Sequence, residues 1–176
     1  SWKYEGIAFH AWPSAGFETV DEAKALQPVF RFYSPSSRDH FLTMGEAERF
    51  RLRTDGAKTW KYEGVAFYAY PSEVPGTIPV HRFCSAKGGD HFLTASEGEA
   101  NRLKSNSSWK YEGVAFWTAD CSQAGTAPVH RFYSATAGDH FLTAGAGEAN
   151  RLRSDATARK SWRYEGVAFH VWTAPR

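Results

Sequence analysis

The segment WKYEGVAFYAY at residues 60–70 decides the fold, because close copies of it recur along the chain. The other copies are WKYEGIAFHAW (2–12), WKYEGVAFWTA (109–119) and WRYEGVAFHVW (162–172). A run of aromatic and β-branched residues around one glycine predicts a β-strand that contains a bend or bulge. One phenylalanine is the same in every copy, so we expect it to occupy a core position: Phe9, Phe67, Phe116 and Phe169.

Two further motifs recur between the copies of this strand. PVFRFYS (28–34), PVHRFCS (79–85) and PVHRFYS (128–134) each precede DHFLT, at 39–43, 90–94 and 139–143. Turn residues separate the two motifs, which predicts a β-hairpin. A short charged stretch follows, in which Ser96 and Glu99 have the spacing of a helix capping box. Each repeat of about fifty residues is therefore expected to hold a hairpin, a short helix and a long strand.

The repeats divide the whole chain into units. Unit one covers 28–70, unit two 79–119 and unit three 128–172, and a half-repeat at 1–12 precedes them. A chain of 176 residues has the size of one domain. We expect a single domain (1–176), mainly β with short helices, whose three pseudo-equivalent units form a compact pseudo-threefold arrangement that hides the strand edges. An open arc of repeats is the alternative.

Composition and charge exclude several classes of partner. The chain is 42% hydrophobic and 23% charged, which is typical of a globular protein, and its aromatic content of 16% is high. The net charge of +2 is too balanced for a protein that grips nucleic-acid phosphates or an anionic membrane surface. No apolar run approaches the length of a membrane-spanning helix. We therefore expect neither nucleic acid nor membrane as a partner.

The combination of V-x-R-F-Y-S, D-H-F-x-T and W-x-Y-E-G-V-A-F resembles a repeat of unknown function in secreted bacterial and fungal proteins, where it often accompanies cell-wall hydrolases. The resemblance implies a secreted or extracellular accessory module that binds glycan or cell-wall polysaccharide. It carries over no catalytic motif. It highlights the polar residues of the motifs: Arg31, Asp39, His40, Arg82, Asp90, His91, Arg131, Asp139 and His140, with Glu5, Glu63, Glu112 and Glu165 in the YEG triplets.

Two positions depart from the shared pattern. Phe30 stands where the other units have His81 and His130, and Cys84 stands where they have Tyr33 and Tyr133. We therefore expect unit two to differ from the others. Cys84 and Cys121 could form a disulfide if their strands are neighbours, and two free thiols are the alternative.

Repetition argues against catalysis. Glycoside hydrolysis needs two carboxylates in different environments, and acyl transfer needs a nucleophile, a base and an orienting group. Such constellations are normally unique in a chain, whereas the attractive acidic and imidazole residues here occur in three or four copies. No G-x-S-x-G, H-E-x-x-H, phosphate-binding or dinucleotide-binding motif is present. We expect a protein that is not an enzyme.

The same residues do not form an obvious metal site or cofactor site. Adjacent Asp and His on a strand face opposite sides, and a structural zinc ion needs four closing ligands, usually with Cys. We expect no metal or cofactor, with each Asp capping a turn beside a hydrogen-bonded His. Arg31 is expected to form an ion pair with Glu63 or Glu5. The charged helix residues are expected to form a solvated face with local pairing: Arg51, Arg102 and Arg151 beside Glu48, Glu99 and Glu148.

The repeated aromatic residues fall into two groups. Trp and Tyr at the start of each long strand favour core positions: Trp2, Trp60, Trp109 and Trp162, with Tyr4, Tyr62, Tyr111 and Tyr164. The position after the core phenylalanine varies, as does the position two residues further on, so both are expected to be exposed: His10, Tyr68, Trp117 and His170, then Trp12, Tyr70, Ala119 and Trp172.

The Asp-His pairs beside aromatic rings favour sugar binding. Asp accepts hydrogen bonds from hydroxyls, neutral His can donate or accept, and an aromatic ring stacks on the apolar face of a sugar. We predict a non-enzymatic, lectin-like or cell-wall-binding module with up to three similar sites. The candidate ligand-binding residues are Asp39, His40, Asp90, His91, Asp139, His140, Arg31, Arg82, Arg131, Tyr68 and Trp117. The alternative is a structural or protein–protein interaction module.

Overall fold

The computed structural model describes residues 24–87 and 89–175 of the chain. The half-repeat at 1–12, including Trp2, Tyr4, Glu5, Phe9, His10 and Trp12, lies outside these residues. The described part is mainly β, as predicted, with short helices between the strands. None of its helices is long and apolar enough to cross a membrane.

Each unit contains the predicted hairpin, helix and long strand. Unit one has β1 (Gln27–Ser34), β2 (Asp39–Thr43), α1 (Glu46–Arg53) and β3 (Lys61–Ala69). Unit two has β4 (Thr77–Ser85), β5 (His91–Thr94), α2 (Glu97–Lys104) and β6 (Trp109–Ala119). Unit three has β7 (Thr126–Ser134), β8 (Asp139–Thr143), α3 (Ala146–Ser154), the short α4 (Ala158–Ser161) and β9 (Arg163–Trp172).

The strands pair in the same register in each unit. The first strand lies between the other two and is antiparallel to both. Its arginine pairs with a leucine on one side and a glycine on the other: Arg31 with Leu42 and Gly64, Arg82 with Leu93 and Gly113, and Arg131 with Leu142 and Gly166. Equivalent residues therefore hold equivalent positions within the three strands of their own unit.

The repeated glycine forms the predicted bulge. Register shifts flank the arginine–glycine pair in each unit. Gly64, Gly113 and Gly166 have φ angles of 110°, 108° and 110°. A side chain at such a positive φ would strain the backbone, so the bulge requires glycine at this position.

The long strands connect the units into one open sheet. β9 pairs with β3 through Tyr68 and Trp172 and with β6 through Ala119 and His170. The strand order is β2-β1-β3-β9-β6-β4-β5, and β7 and β8 extend from β9 as a branch. The outer strands β2, β5 and β8 each pair with one strand, so the expected concealment of all strand edges is wrong. A side chain meets each free edge instead, as when Asp139 accepts from the backbone N–H of His40.

The main core joins all three units. It contains one valine, one leucine and one phenylalanine from each: Val29, Leu42, Phe67, Val80, Leu93, Phe116, Val129, Leu142 and Phe169. The three phenylalanine rings contact one another, with centroids 5.5 Å, 5.9 Å and 6.2 Å apart. This confirms the predicted core position of Phe67, Phe116 and Phe169. A smaller cluster lies under the helix of each unit, where Trp60, Trp109 and Trp162 are partly buried.

Several aromatic residues differ from expectation in their exposure. Tyr68 and Trp117 are half-buried, and Ala119 and Trp172 are buried. The reason is that β9 pairs with both β3 and β6, so the far ends of the long strands pack together with Leu26. The tyrosines at the starts of the long strands differ in the opposite direction. They were expected in the core but are 36–39% exposed: Tyr62, Tyr111 and Tyr164.

Candidate functional site

Asp and His come together, but each pair joins two different units. Asp139 Oδ2 lies 2.6 Å from Nδ1 of His40, and Asp139 Oδ1 accepts from the backbone N–H of His40 at 3.2 Å. The equivalent pairs are Asp39 with His91 and Asp90 with His140, both at 2.7 Å between Oδ2 and Nδ1. The histidines are hydrogen-bonded, as expected, whereas each aspartate binds a histidine of another unit instead of capping a turn.

The three aspartates are buried at the centre of these contacts. Asp39, Asp90 and Asp139 are 1%, 7% and 0% exposed, and their carboxylate oxygens lie within 4.8 Å of one another. Burial raises the pKa of Asp39; the hydrogen bond and charge of His91 lower it, and the charges of Asp139 and Asp90 raise it again. Because the carboxylates of Asp39 and Asp139 are enclosed, they orient the histidines and do not reach a ligand on the surface, whereas Asp90 lies at the wall of a cavity. A neutral histidine held this way keeps its proton on Nδ1 and offers Nε2 as an acceptor.

Each candidate arginine joins two glutamates from different units. Nε of Arg31 donates to Oε2 of Glu63 at 2.7 Å, which is one of the two ion pairs predicted for Arg31. The other predicted partner, Glu5, lies outside the described residues. Nη1 and Nη2 of Arg31 bind both oxygens of Glu148 in unit three, at 3.0 Å and 3.3 Å. The equivalent contacts join Arg82 to Glu112 and Glu48, and Arg131 to Glu165 and Glu99.

The helix glutamates have a role that differs from the one expected of them. Glu48, Glu99 and Glu148 do not form a solvated face; they bind an arginine in another unit. Burial alone would raise the pKa of Glu48, but hydrogen bonds from Arg82 and Thr43 and the charges of Arg82 and Arg51 lower it overall. The pKa values of Glu99 and Glu148 are lowered in the same way. The signal in the sequence was their fixed place in all three helices, which matches the fixed place of the arginines.

Aromatic rings complete each unit boundary. Between units one and three, the guanidinium of Arg31 lies over the Phe141 ring at 5.0 Å, and the edge of His40 contacts the same ring at 4.7 Å. The ring centroid of Trp162 lies 6.4 Å from that of His40. The other two boundaries repeat the contact between arginine and phenylalanine, with Arg82 over Phe41 and Arg131 over Phe92.

Cavities lie beside these groups. A cavity of about 240 Å³ between units one and three is lined by Arg31, His40, Glu63, Glu148 and Trp162 among others. A second, of about 480 Å³, lies between units two and three, where its lining includes Asp90, Trp109, Tyr133, His140 and Arg163. A third, of about 420 Å³, lies beside Phe41, Glu48 and Trp60. Tyr68 and Trp117 line none of these three cavities.

Unit two differs from the others at its histidine, as expected. Tyr33 stacks on His40 and Tyr133 on His140, with centroids 4.7 Å and 4.6 Å apart, whereas Cys84 stands at this place in unit two. Cys84 is half-buried, Cys121 is exposed, and both are free thiols, which decides between the two alternatives. Burial and the charges of Glu112 and Asp39 raise the pKa of the Cys84 thiol.

The second departure, Phe30, removes a polar pair from unit one. In the other units a histidine Nδ1 lies 2.9 Å from a tyrosine hydroxyl, His81 with Tyr111 and His130 with Tyr164. Burial, followed by the charge of Lys104 or Arg153 respectively, lowers the pKa of these two histidines. The Phe30 ring instead faces the Tyr62 ring, with centroids 6.2 Å apart. The histidine–tyrosine pair is therefore not common to the three units.

Comparison with known proteins places the chain in a family. Neither the curated proteins nor the solved structures contain a significant match. DUF5648, described as a domain of unknown function, matches residues 1–119 and 90–175. These two overlapping matches cover nearly the whole chain, in agreement with its internal repeat. The chain therefore belongs to the DUF5648 family.

Proposed function

We propose that this domain is a non-enzymatic carbohydrate-binding module with up to three similar sites, one at each unit boundary. The observation that carries the proposal is the repeated boundary histidine, whose Nδ1 is held by a buried aspartate beside an arginine–glutamate pair. A tryptophan ring also lies beside His40 and His140. Sugar recognition needs these components, because hydroxyls require directed donors and acceptors while the apolar ring face requires an aromatic surface.

The roles of the predicted site residues follow from their burial. Asp39 and Asp139 are enclosed and Asp90 is nearly so, and all three hold a histidine, so they act as positioning residues. The ligand-contacting groups in this proposal are the histidine rings, the outer surface of the arginine–glutamate pairs, and the tryptophans: His40, His91, His140, Arg31, Arg82, Arg131, Trp60, Trp109 and Trp162. The tryptophans replace Tyr68 and Trp117 as the aromatic surface, because those two pack where the long strands meet.

A pseudo-threefold arrangement is part of the proposal. Its support is that the contacts between units run in one cycle: Asp139 to His40, Asp39 to His91, and Asp90 to His140. The ion pairs follow the same cycle, joining Arg31 to Glu148, Arg82 to Glu48, and Arg131 to Glu99. Contacts of this kind at three boundaries support the closed arrangement, because an open arc of three units would have two boundaries.

We further propose that the module acts outside the cell as an accessory to a polysaccharide-active protein. The support for this setting is the resemblance of the motifs. The net charge of +2 supports a neutral polymer as ligand over nucleic acid or an anionic membrane. The threefold repetition of the polar groups supports binding over catalysis, since several weak sites hold one polymer through effective concentration.

The test is a glycan array, together with co-sedimentation on insoluble cell-wall polysaccharides and competition by simple sugars. His40→Gln is the informative variant, because glutamine keeps an N–H that reaches Asp139 but removes the ring and Nε2. We expect it to weaken binding to a polymeric glycan by about tenfold through lost avidity. His81→Gln is the matched control and is expected to bind like the unchanged protein. Sugar-competed binding that no boundary variant alters would refute the site.

A protein–protein interaction module is the second candidate, and a specific observation favours it. Each unit exposes a tyrosine and a valine beside its bulge: Tyr62 with Val65, Tyr111 with Val114, and Tyr164 with Val167. Phe50 on α1 is 68% exposed. Exposed apolar side chains are typical of surfaces that meet another protein. A negative result across soluble and insoluble glycans would favour this candidate, and Tyr111→Ser would then be the first variant to compare.

A further inference from the structure

We propose that unit two holds a site for one borderline-soft divalent cation, with Zn²⁺ as the best match, formed by Cys84, His91 and Glu112. Cys84 on β4 is the cross-strand partner of His91 on β5, and Glu112 lies on β6, the other neighbour of β4. Sγ of Cys84, a ring nitrogen of His91 and a carboxylate oxygen of Glu112 all lie within 4.8 Å of one another. The site does not depend on the proposed sugar binding.

The His91 ring is already oriented as in metal sites. Its Nδ1 lies 2.7 Å from Oδ2 of Asp39, so Nε2 is the nitrogen left for a metal. Histidines that bind metals commonly donate their other N–H to a carboxylate, which fixes the ring and makes it more basic. In unit three, His140 and Glu165 are the equivalents of His91 and Glu112. Nε2 of His140 lies 3.8 Å from Oε2 of Glu165, so Nε2 is the nitrogen that faces the glutamate of the long strand.

Cysteine is the feature that separates unit two from its neighbours. Units one and three have the same histidine and glutamate, but a tyrosine ring covers the histidine there: Tyr33 on His40 and Tyr133 on His140. In unit two a thiol takes that place and contributes a soft ligand. The expectation of no metal site was based on Asp and His residues that are neighbours on one strand. The ligands proposed here lie on three adjacent strands instead. Units one and three are therefore internal controls.

The surroundings favour a cation over the free thiol. The negative charges of Glu112 and Asp39 act on Cys84, with Lys110 as a weaker positive charge. Sγ of Cys84 makes a weak contact with the carbonyl of Ser85 at 3.7 Å, so it gives up little on binding a metal. Arg82 binds Oε2 of Glu112 at 2.9 Å, which leaves Oε1 without this contact and available to a metal.

The chemistry of the site is ligand exchange with proton release. The thiol loses its proton to solvent, a metal–sulfur bond forms, and the cation sheds water. Thiolate, imidazole and carboxylate together suit Zn²⁺ and Co²⁺ better than Mg²⁺ or Ca²⁺, and three protein ligands leave the fourth position to water. Tetrahedral zinc places its ligand atoms about 3.5 Å apart, so closing the site takes side-chain shifts of about 1 Å. With the metal bound, Nε2 of His91 at the boundary between units one and two would no longer be available as a hydrogen-bond acceptor.

The experiment titrates the reduced, metal-free full chain with Zn²⁺ against a chromophoric chelator, and separately with Co²⁺ in an absorption spectrometer. No glycan is present, so the result is independent of the proposed function. We expect one Zn²⁺ per chain with a Kd of about 1 μM or lower, and a thiolate-to-cobalt charge-transfer band. Cys84→Tyr is expected to lose both signals. Cys121→Ser, which removes the exposed thiol, is expected to keep both.

Cys84→Tyr introduces the residue of the other two units, so it is expected to fold, and circular dichroism checks this. Cys84→Ser and His91→Gln provide the same test through smaller changes and are each expected to weaken Zn²⁺ binding at least about tenfold, with the cobalt band lost in the serine variant. The proposal is overturned if Cys84→Tyr or Cys84→Ser binds Zn²⁺ as tightly as the unchanged chain. Binding only near millimolar Zn²⁺ in the unchanged chain overturns it as well.

Discussion

Each boundary histidine depends on one aspartate for two hydrogen bonds, one to its backbone N–H and one to its Nδ1. The same carboxylate thereby occupies a free edge of an outer strand and fixes the imidazole beside the cavity. Free edges attract other strands, and proteins cover them in several ways. Here a single side chain covers the edge and orients a candidate ligand-binding group.

Asp139→Ala leaves two donors of His40 without an acceptor. Unpaired, partly buried donors destabilise a folded protein, and relief of the repulsion among the three aspartates offsets part of this effect. We expect a loss of about 1–3 kcal/mol in the free energy of unfolding, measured by urea denaturation. Asp120→Ala, at an exposed aspartate outside the boundaries, is the control and is expected to change it by less than about 0.5 kcal/mol. Equal effects of the two variants would contradict the assigned role of Asp139.

Individual residues differ in how far the sequence predicts them. Phe67, Phe116 and Phe169 were predictable as core residues because identity in every copy signals a fixed environment. The partner of Asp39 was not predictable, because Asp39 binds His91 of the next unit, whereas His40 is its neighbour in sequence. Repeats indicate that each copy has the same environment; they do not indicate which copy supplies it.

The helices show the same limit at the scale of secondary structure. Ser96 caps α2 as predicted, since its side chain accepts from the backbone N–H of Glu99. Glu99 does not return the second half of the capping box, because its carboxylate binds Arg131 with both oxygens. Bidentate bonds between charged groups are stronger than a single bond to a backbone N–H. Local sequence predicted where the helix begins, and tertiary contacts determined where its glutamate points.

The bulge in the long strands gives a prediction for one element. Gly113 has a φ of 108°, and a Cβ at this position would meet no atom within 4 Å, so Gly113→Ala tests backbone strain alone. We expect a loss of about 1–2 kcal/mol in unfolding free energy, measured by thermal and urea denaturation. Gly147→Ala, in helix α3 with equally open space, is the matched control. There we expect a small gain of about 0.5 kcal/mol. A gain at both positions would contradict the role of the bulge.

The whole molecule is held by one shared core and by pairs that cross every boundary, which predicts a single cooperative unfolding transition. We expect calorimetric and van't Hoff enthalpies to agree and fluorescence and circular dichroism to coincide. Phe116→Ala is expected to lower the stability of the entire chain by about 3–5 kcal/mol. The control is Phe50→Ala at an exposed helix position, with a change below about 0.5 kcal/mol. A separate early transition of unit two in Phe116→Ala would contradict a shared core.

The ion pairs between units give the molecule an acid-sensitive component. The lowered pKa of Glu99 means that its contribution is fully present above the ordinary glutamate pKa of about 4.3 and is lost as the pH falls through the lower, folded-state pKa. We therefore expect Glu99→Gln to cost about 1–2 kcal/mol at pH 7 and progressively less in acid. Urea denaturation of the variant and the unchanged protein across pH measures this difference. The comparison separates Glu99 from Asp39, whose raised pKa acts in the opposite direction.

Glu97→Gln is the control for this measurement, because Glu97 is an exposed neighbour on the same helix. We expect it to change stability little at any pH. A difference for Glu99→Gln that stayed constant down to strongly acid pH would show that the carboxylate charge does not contribute through Arg131.

Because every unit takes its aspartate and one of its two glutamate partners from another unit, no unit completes its own contacts. A unit displaced from its place fits the same place in a second copy of the chain, with the same hydrogen bonds and ion pairs. A monomer and an intertwined dimer that has exchanged one unit thus contain the same contacts and differ in their linkers and in the entropy of association. We therefore expect refolding at high protein concentration to favour the exchanged dimer and dilution to favour the monomer, a difference that size-exclusion chromatography would measure.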